Sequence, residues 1–195
     1  KMHLKSNKVN VIKILPGGVV TAKDTAEIQL DENGEFVRNP EEDIVKVAVV
    51  ERHQGTGNVA CGFLKGYGIK AGAVALSIAH DSHNIIVVGV SDEEMEFAVN
   101  SLIAQEGGMV LVKEGKVIES MPMPIAGLMS DQSGEWVDEK LTAIHAKAYE
   151  ELGIAGDVEP VMTLCFMSLA VIPEVKLTDM GLFDVTTFSF IPVEA

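Results

Sequence analysis

The chain has 195 residues, 47% of them hydrophobic, and a formal net charge of −14. That apolar content supplies the core of one ordinary-sized domain and excludes a disordered chain. The acidity repels nucleic-acid backbones and excludes a nucleic-acid binder, and no stretch approaches the roughly 18 consecutive apolar residues of a membrane span.

Aromatic residues make up only 5% of the chain, so the core is expected to be built from Val, Ile, Leu, Ala and Met. Residues 9–15 alternate imperfectly and predict a strand, stopped by Pro16-Gly17-Gly18, with a short extension over 19–21. Asn33-Gly34 between extended segments 26–30 and 35–37 is a hairpin signal. Residues 38–43, with Pro40 and three acids, read as an exposed linker and a subdomain boundary. Residues 44–51 and 59–64 predict a hairpin around Glu51-Arg52-His53 and a Gly-rich turn. Two β-branched-rich runs, 73–79 and 85–88, predict buried strands on either side of His80-Asp81-Ser82-His83-Asn84.

Ser91, with Glu94 three residues on, predicts a capping box at the start of a helix over 91–105, stopped by Gly107-Gly108. A hairpin over 109–113 and 116–119 follows. Pro122 and Pro124 then rule out continuation as a central strand, because each removes a ladder donor. Ser133 begins a second helix over 133–152, ended by Gly153, with Trp136, Val137, Leu141, Ile144 and Ala148 on its buried face. The apolar run 161–172 does not distinguish strand from helix by period. It is expected to hold one buried strand or helical turn and then a short extended piece. Segments 175–177, 181–185 and 188–191 complete the strands. The fold class predicted is α+β: a mixed, mostly antiparallel sheet with two main helices packed on it, preceded by a short β segment.

Five adjacent residues that donate, accept or carry protons, between two buried strands, single out 80–84 as the candidate site. Asp81 beside His80 could orient a general base. His80-x-x-His83 could ligate a metal only if a turn brings the rings to one side. Ser82 and Asn84 could hydrogen-bond a ligand, or the whole cluster could satisfy backbone groups at a strand end. Glu51, Arg52 and His53 follow a strand in the same way, and Arg52 suits a carboxylate or another hydrogen-bonding ligand. Cys61 and Cys165 lie in apolar surroundings without zinc spacing and read as free thiols of a reducing compartment.

Several stretches together carry a resemblance. They are 10–21 (N-V-I-K-I-L-P-G-G-V-V-T), 49–66 (V-V-E-R-H-Q-G-T-G-N-V-A-C-G-F-L-K-G), 75–89 with its A-H-D-S-H-N centre, 122–129 (P-M-P-I-A-G-L-M) and 177–185 (L-T-D-M-G-L-F-D-V). The chain resembles the C-terminal part of the microbial adenine deaminases of the amidohydrolase superfamily. The resemblance implies hydrolysis of adenine to hypoxanthine and ammonia in cytoplasmic purine salvage. It also implies a manganese or iron centre that activates water, and a homo-oligomer. In that family the principal ligands belong to a (β/α)8 barrel whose first strand carries His-x-His. This chain has no such motif and no room for a barrel of roughly 250 residues.

On this resemblance residues 1–38 are the return from the barrel through a β-sandwich, and 39–195 the C-terminal domain. A chain that opens Lys1-Met2-His3 is then expected to be a piece of something longer. His80, Asp81 and His83 are the expected catalytic groups. Ser82, Asn84, Glu51, Arg52 and His53 are the expected substrate contacts, facing the barrel, and the metal ligands lie mainly outside this chain. Two readings compete: a non-catalytic module that binds a small molecule or mediates assembly, and a self-contained enzyme using His80 and Asp81 as an acid–base pair.

Overall fold

Hairpins between neighbouring β-branched runs build most of the sheet. The computed structural model describes residues 1–195, and its strands are β1 (Lys8–Ile14), β2 (Thr21–Glu27), β3 (Gln29–Leu30), β4 (Phe36–Val37), β5 (Ile44–Val50), β6 (Val59–Lys65), β7 (Ala73–Leu76), β8 (Ile85–Gly89), β9 (Gly108–Lys113), β10 (Lys116–Pro122), β11 (Val175–Thr178), β12 (Gly181–Asp184) and β13 (Ser189–Ile191). The helices are α1 (Asp92–Ala104), α2 (Gly134–Glu150) and α3 (Pro160–Cys165). Eight strands form one sheet in the order β10-β9-β7-β8-β5-β6-β1-β2. Every pairing in it is antiparallel except β1 with β6, which is parallel. β11-β12-β13 form a separate small antiparallel sheet, and β3 and β4 a short hairpin. The α+β class and its mostly antiparallel sheet are borne out. No helix is long and apolar enough to cross a membrane.

Alternation along the strands creates two cores. Val47, Val49, Leu64, Val74, Leu76, Ile86 and Leu111 face α2, α3 and the small sheet. Ala48, Ala73, Ala75, Val87 and Val110 face the other side, where Met95, Ala98 and Leu102 of α1 pack down on them. The small alanines let α1 approach closely, and burial of a side chain such as Leu102 contributes about 1.5–3 kcal/mol. Gly72 is equally constrained: at φ 66° an added Cβ would lie 1.9 Å from the Val112 carbonyl oxygen. Ser91 caps α1 as expected, its Oγ accepting the Glu94 N–H at 3.2 Å. Glu94 leaves the return bond of a capping box unmade and instead accepts from the Gly115 N–H at 3.3 Å.

Three expectations change. The short extension at 19–21 leads into a full strand, β2, whose exposed residues are Lys23, Thr25 and Glu27. It is an edge of the sheet, where charge rather than apolar alternation is the rule. β10 runs on to Pro122, which its edge position tolerates. Residues 161–172 hold the short helix α3 followed by turns, without the expected extended piece. Pro160 opens α3 where no N–H is needed, and the Glu159 carboxylate accepts the Met162 N–H. Residues 1–38 contribute β1 to β4, with β1 and β2 completing the large sheet.

The pairing brings the loops together. Val50 of β5 pairs with Ile85 of β8, Leu76 of β7 with Met109 of β9, and Pro122 of β10 with Gly108. Connections 51–58, 77–84 and 123–129 therefore leave the sheet at the same end.

Candidate functional site

At that end the turn between β7 and β8 is held from three sides. The His80 N–H donates to the Cys165 carbonyl at the end of α3 (2.8 Å), and the His83 N–H donates to the Ala79 carbonyl (2.7 Å). His83 takes a left-handed φ of 53°, a conformation uncommon for a side-chain-bearing residue and one that histidine tolerates better than most. This turn brings the two rings together, edge to face, with centroids 5.0 Å apart. His80 in turn stacks on Phe166, at 4.8 Å.

Arg52 is the strut of the assembly. Its Nε donates to the His83 carbonyl (2.6 Å) and its Nη2 to the Ala126 carbonyl (2.9 Å), tying the 80–84 turn to the loop after β10. Its own backbone N–H donates to Oδ1 of buried Asn84 (3.2 Å). Gly127 lies directly beneath: at φ 73° an added Cβ would meet the Arg52 guanidinium at 3.0 Å. His53 Nε2 donates to the Ser82 carbonyl (2.7 Å). Ser77, fully buried, accepts the Gly108 N–H (2.7 Å) and donates to the Gly127 carbonyl (2.5 Å).

The electrostatics follow from these contacts. Partial burial holds His83 below the ordinary imidazole range, and the neighbouring His80 and Arg52 act in the same direction. Its Nδ1 is buried and has no hydrogen-bond partner. The Glu51 carboxylate is pulled down to about 2 by the N–H groups of Thr56, Gln54 and His53 and by the Thr56 hydroxyl. It folds its own loop and does not reach the 80–84 turn. Asp81 and Ser82 are exposed and line a cleft of about 350 Å³ on the side of the small sheet. Arg52 and Ser77 line a separate recess of about 200 Å³. The histidine–carboxylate pair of this chain is His145 with Glu159, between α2 and the start of α3, and involves neither His80 nor Asp81.

Of the residues expected from sequence, His80, His83, Asn84, Arg52 and His53 converge, Asp81 and Ser82 lie at the rim, and Glu51 supports the loop. Phe166, Ser77 and the 126–127 loop were not anticipated. Gly127 in an apolar stretch was the available signal for the loop, whereas Phe166 sat inside a run without period.

Residues 18–189 match the family model described as the adenine deaminase C-terminal domain. The chain belongs to this family. Along all of its length the domain is 67% identical to adenine deaminase 2 of Desulfotalea psychrophila and covers 34% of that protein. It is 50% identical to adenine deaminase of Ligilactobacillus salivarius over 100% of the chain and 34% of the relative. With adenine deaminase 2 of Carboxydothermus hydrogenoformans the identity is 48%, over 99% of the chain and 34% of the relative. The domain thus spans about a third of the length of the curated relatives it matches.

Proposed function

We propose that this domain serves an adenine deaminase by presenting the His80–Asn84 turn to the purine site formed by the rest of that protein. The whole protein hydrolyses adenine to hypoxanthine and ammonia in cytoplasmic purine salvage and assembles as a homo-oligomer. The observation that carries the assignment of the turn is the part-exposed imidazole of His83, which makes no side-chain hydrogen bond within the domain and whose surroundings favour the neutral form. A neutral imidazole at a rigid turn can take or pass a proton at neutral pH. His80, stacked on Phe166, sets the orientation of His83. Asp81 and Ser82 at the rim supply polar contacts to substrate or to the loops around it. Asn84, Arg52 and His53 hold the turn, and Glu51 folds the loop that carries Arg52 and His53.

The family resemblance calls for manganese or iron. Within this chain no group of three His, Cys, Asp or Glu converges as a metal shell would require. A manganese or iron centre does not fit these residues, and its ligands belong to the remainder of the protein. The domain alone is accordingly inactive. Adenine-to-hypoxanthine conversion by the purified chain, with manganese or ferrous iron supplied, checks this. The expected result is no turnover, and robust metal-dependent turnover by these 195 residues refutes the reading. Purine binding without turnover would favour a small-molecule-binding module instead.

A further inference from the structure

Beside the turn, the small sheet presents an apolar face that its own chain leaves open. Phe183 is the centre, packed edge to face by Phe188 (5.3 Å between centroids) and Phe190 (5.2 Å). Phe188 is 74% exposed, Met180 72%, Val171 67% and Phe190 51%. Single exposed apolar residues are ordinary, but a contiguous group of this kind marks an interaction surface. Met180, Val171, Phe183 and Phe190 wall the 350 Å³ cleft whose rim carries Asp81 and Ser82, so the apolar face is continuous with the candidate site. Ser168 also lines the cleft; it is buried, and its hydroxyl has no hydrogen-bond partner.

We infer that this face is the seat of the remainder of the adenine deaminase chain, the two-thirds of the relatives' length that the domain does not span. Its occupant has an apolar centre and donor or cationic groups opposite Asp81 and Asp179 at the rim. A second copy fits less well, because self-pairing brings these acids together in a chain of net charge −14. The inference rests on the proposed function, since seating on this face is what would carry the His80–Asn84 turn to the purine site.

Peroxide oxidation of Met180, followed by peptide mass spectrometry, tests it. Met162, half-exposed on α3 and outside the patch, is the internal control. In a full-length adenine deaminase that carries this domain, Met180 should oxidise at least tenfold more slowly than in the isolated chain, with Met162 unchanged. Phe188→Asp and Phe190→Asp, both at exposed positions, should restore the fast rate. Equal Met180 rates in the two proteins overturn the inference. So does protection that grows with concentration of the isolated chain alongside a doubled mass, which would assign the face to a second copy. Protection of the isolated chain by adenine alone overturns it in favour of a small-molecule site. His83→Ala separates the two proposals. Normal turnover in that variant with Met180 still protected removes the catalytic role of the turn and leaves the seat standing.

Discussion

Replacing Arg52 with Met decides whether this residue is a strut or a substrate ligand. The guanidinium makes two bonds to main-chain carbonyls, Nε to His83 and Nη2 to Ala126, at 2.6 and 2.9 Å. Buried hydrogen bonds from a charged donor contribute about 1.5–3 kcal/mol each, and partial exposure reduces that, so their joint loss should cost about 2–3 kcal/mol. For a domain of this size that corresponds to a fall in Tm of about 5–10 °C. The bond from the Arg52 N–H to Asn84 does not involve the side chain and persists. The loosening should therefore be local, with faster amide exchange at 79–84 and 125–129 and unchanged exchange in β5 and β8. Arg52→Lys should recover about half of the loss, because an ammonium does not span both carbonyls as a planar fork does. Calorimetry with hydrogen exchange on the isolated chain reads both effects. A Tm within about 1 °C of the parent and unaltered exchange would refute the strut, and a raised KM in the full-length enzyme would then restore Arg52 to substrate binding.

In the full-length enzyme His83→Ala should lower kcat at least tenfold while moving Tm by no more than about 2 °C, and a large stability loss with normal turnover would assign the turn a purely structural role. Because His83 is held below its ordinary value, its protonation penalises folding as pH falls through about 6.5 and further, and His83→Gln should flatten that limb of the stability profile. Asp184 is buried and held at about 2 by the Thr186 hydroxyl and Lys23, so its contribution is complete above about pH 4 and is lost as pH falls through about 2. Asp184→Asn should lower stability at pH 7 by about 2–3 kcal/mol in urea denaturation and remove that acid dependence.

Where a segment buries one face or two, its hydropathy carried its structure. The all-apolar runs of β5, β7 and β8 and the periodic faces of α1 and α2 are read directly from the chain, and the hairpin at Asn33-Gly34 from its turn chemistry. β2 escaped because an edge strand is written in charges and threonines, and α3 because Val, Met, Leu, Cys and Phe in succession fit either period. The site shows the same division. Its place between β7 and β8 was legible as polar residues interrupting two apolar runs, since such residues gain nothing there unless something holds or uses them. Its geometry was not, because the partners that set it are main-chain carbonyls far away in the chain: that of Cys165 takes the His80 N–H, and those of Ala126 and Gly127 act through Arg52 and Ser77. A carbonyl has no sequence identity, so no residue pattern announces it. Arg52 read as a ligand-binding cation, and two of its five N–H donors are turned to the backbone of the domain itself. The chemistry left for a substrate is what that backbone does not consume: the part-exposed ring of His83 and the rim at Asp81 and Ser82.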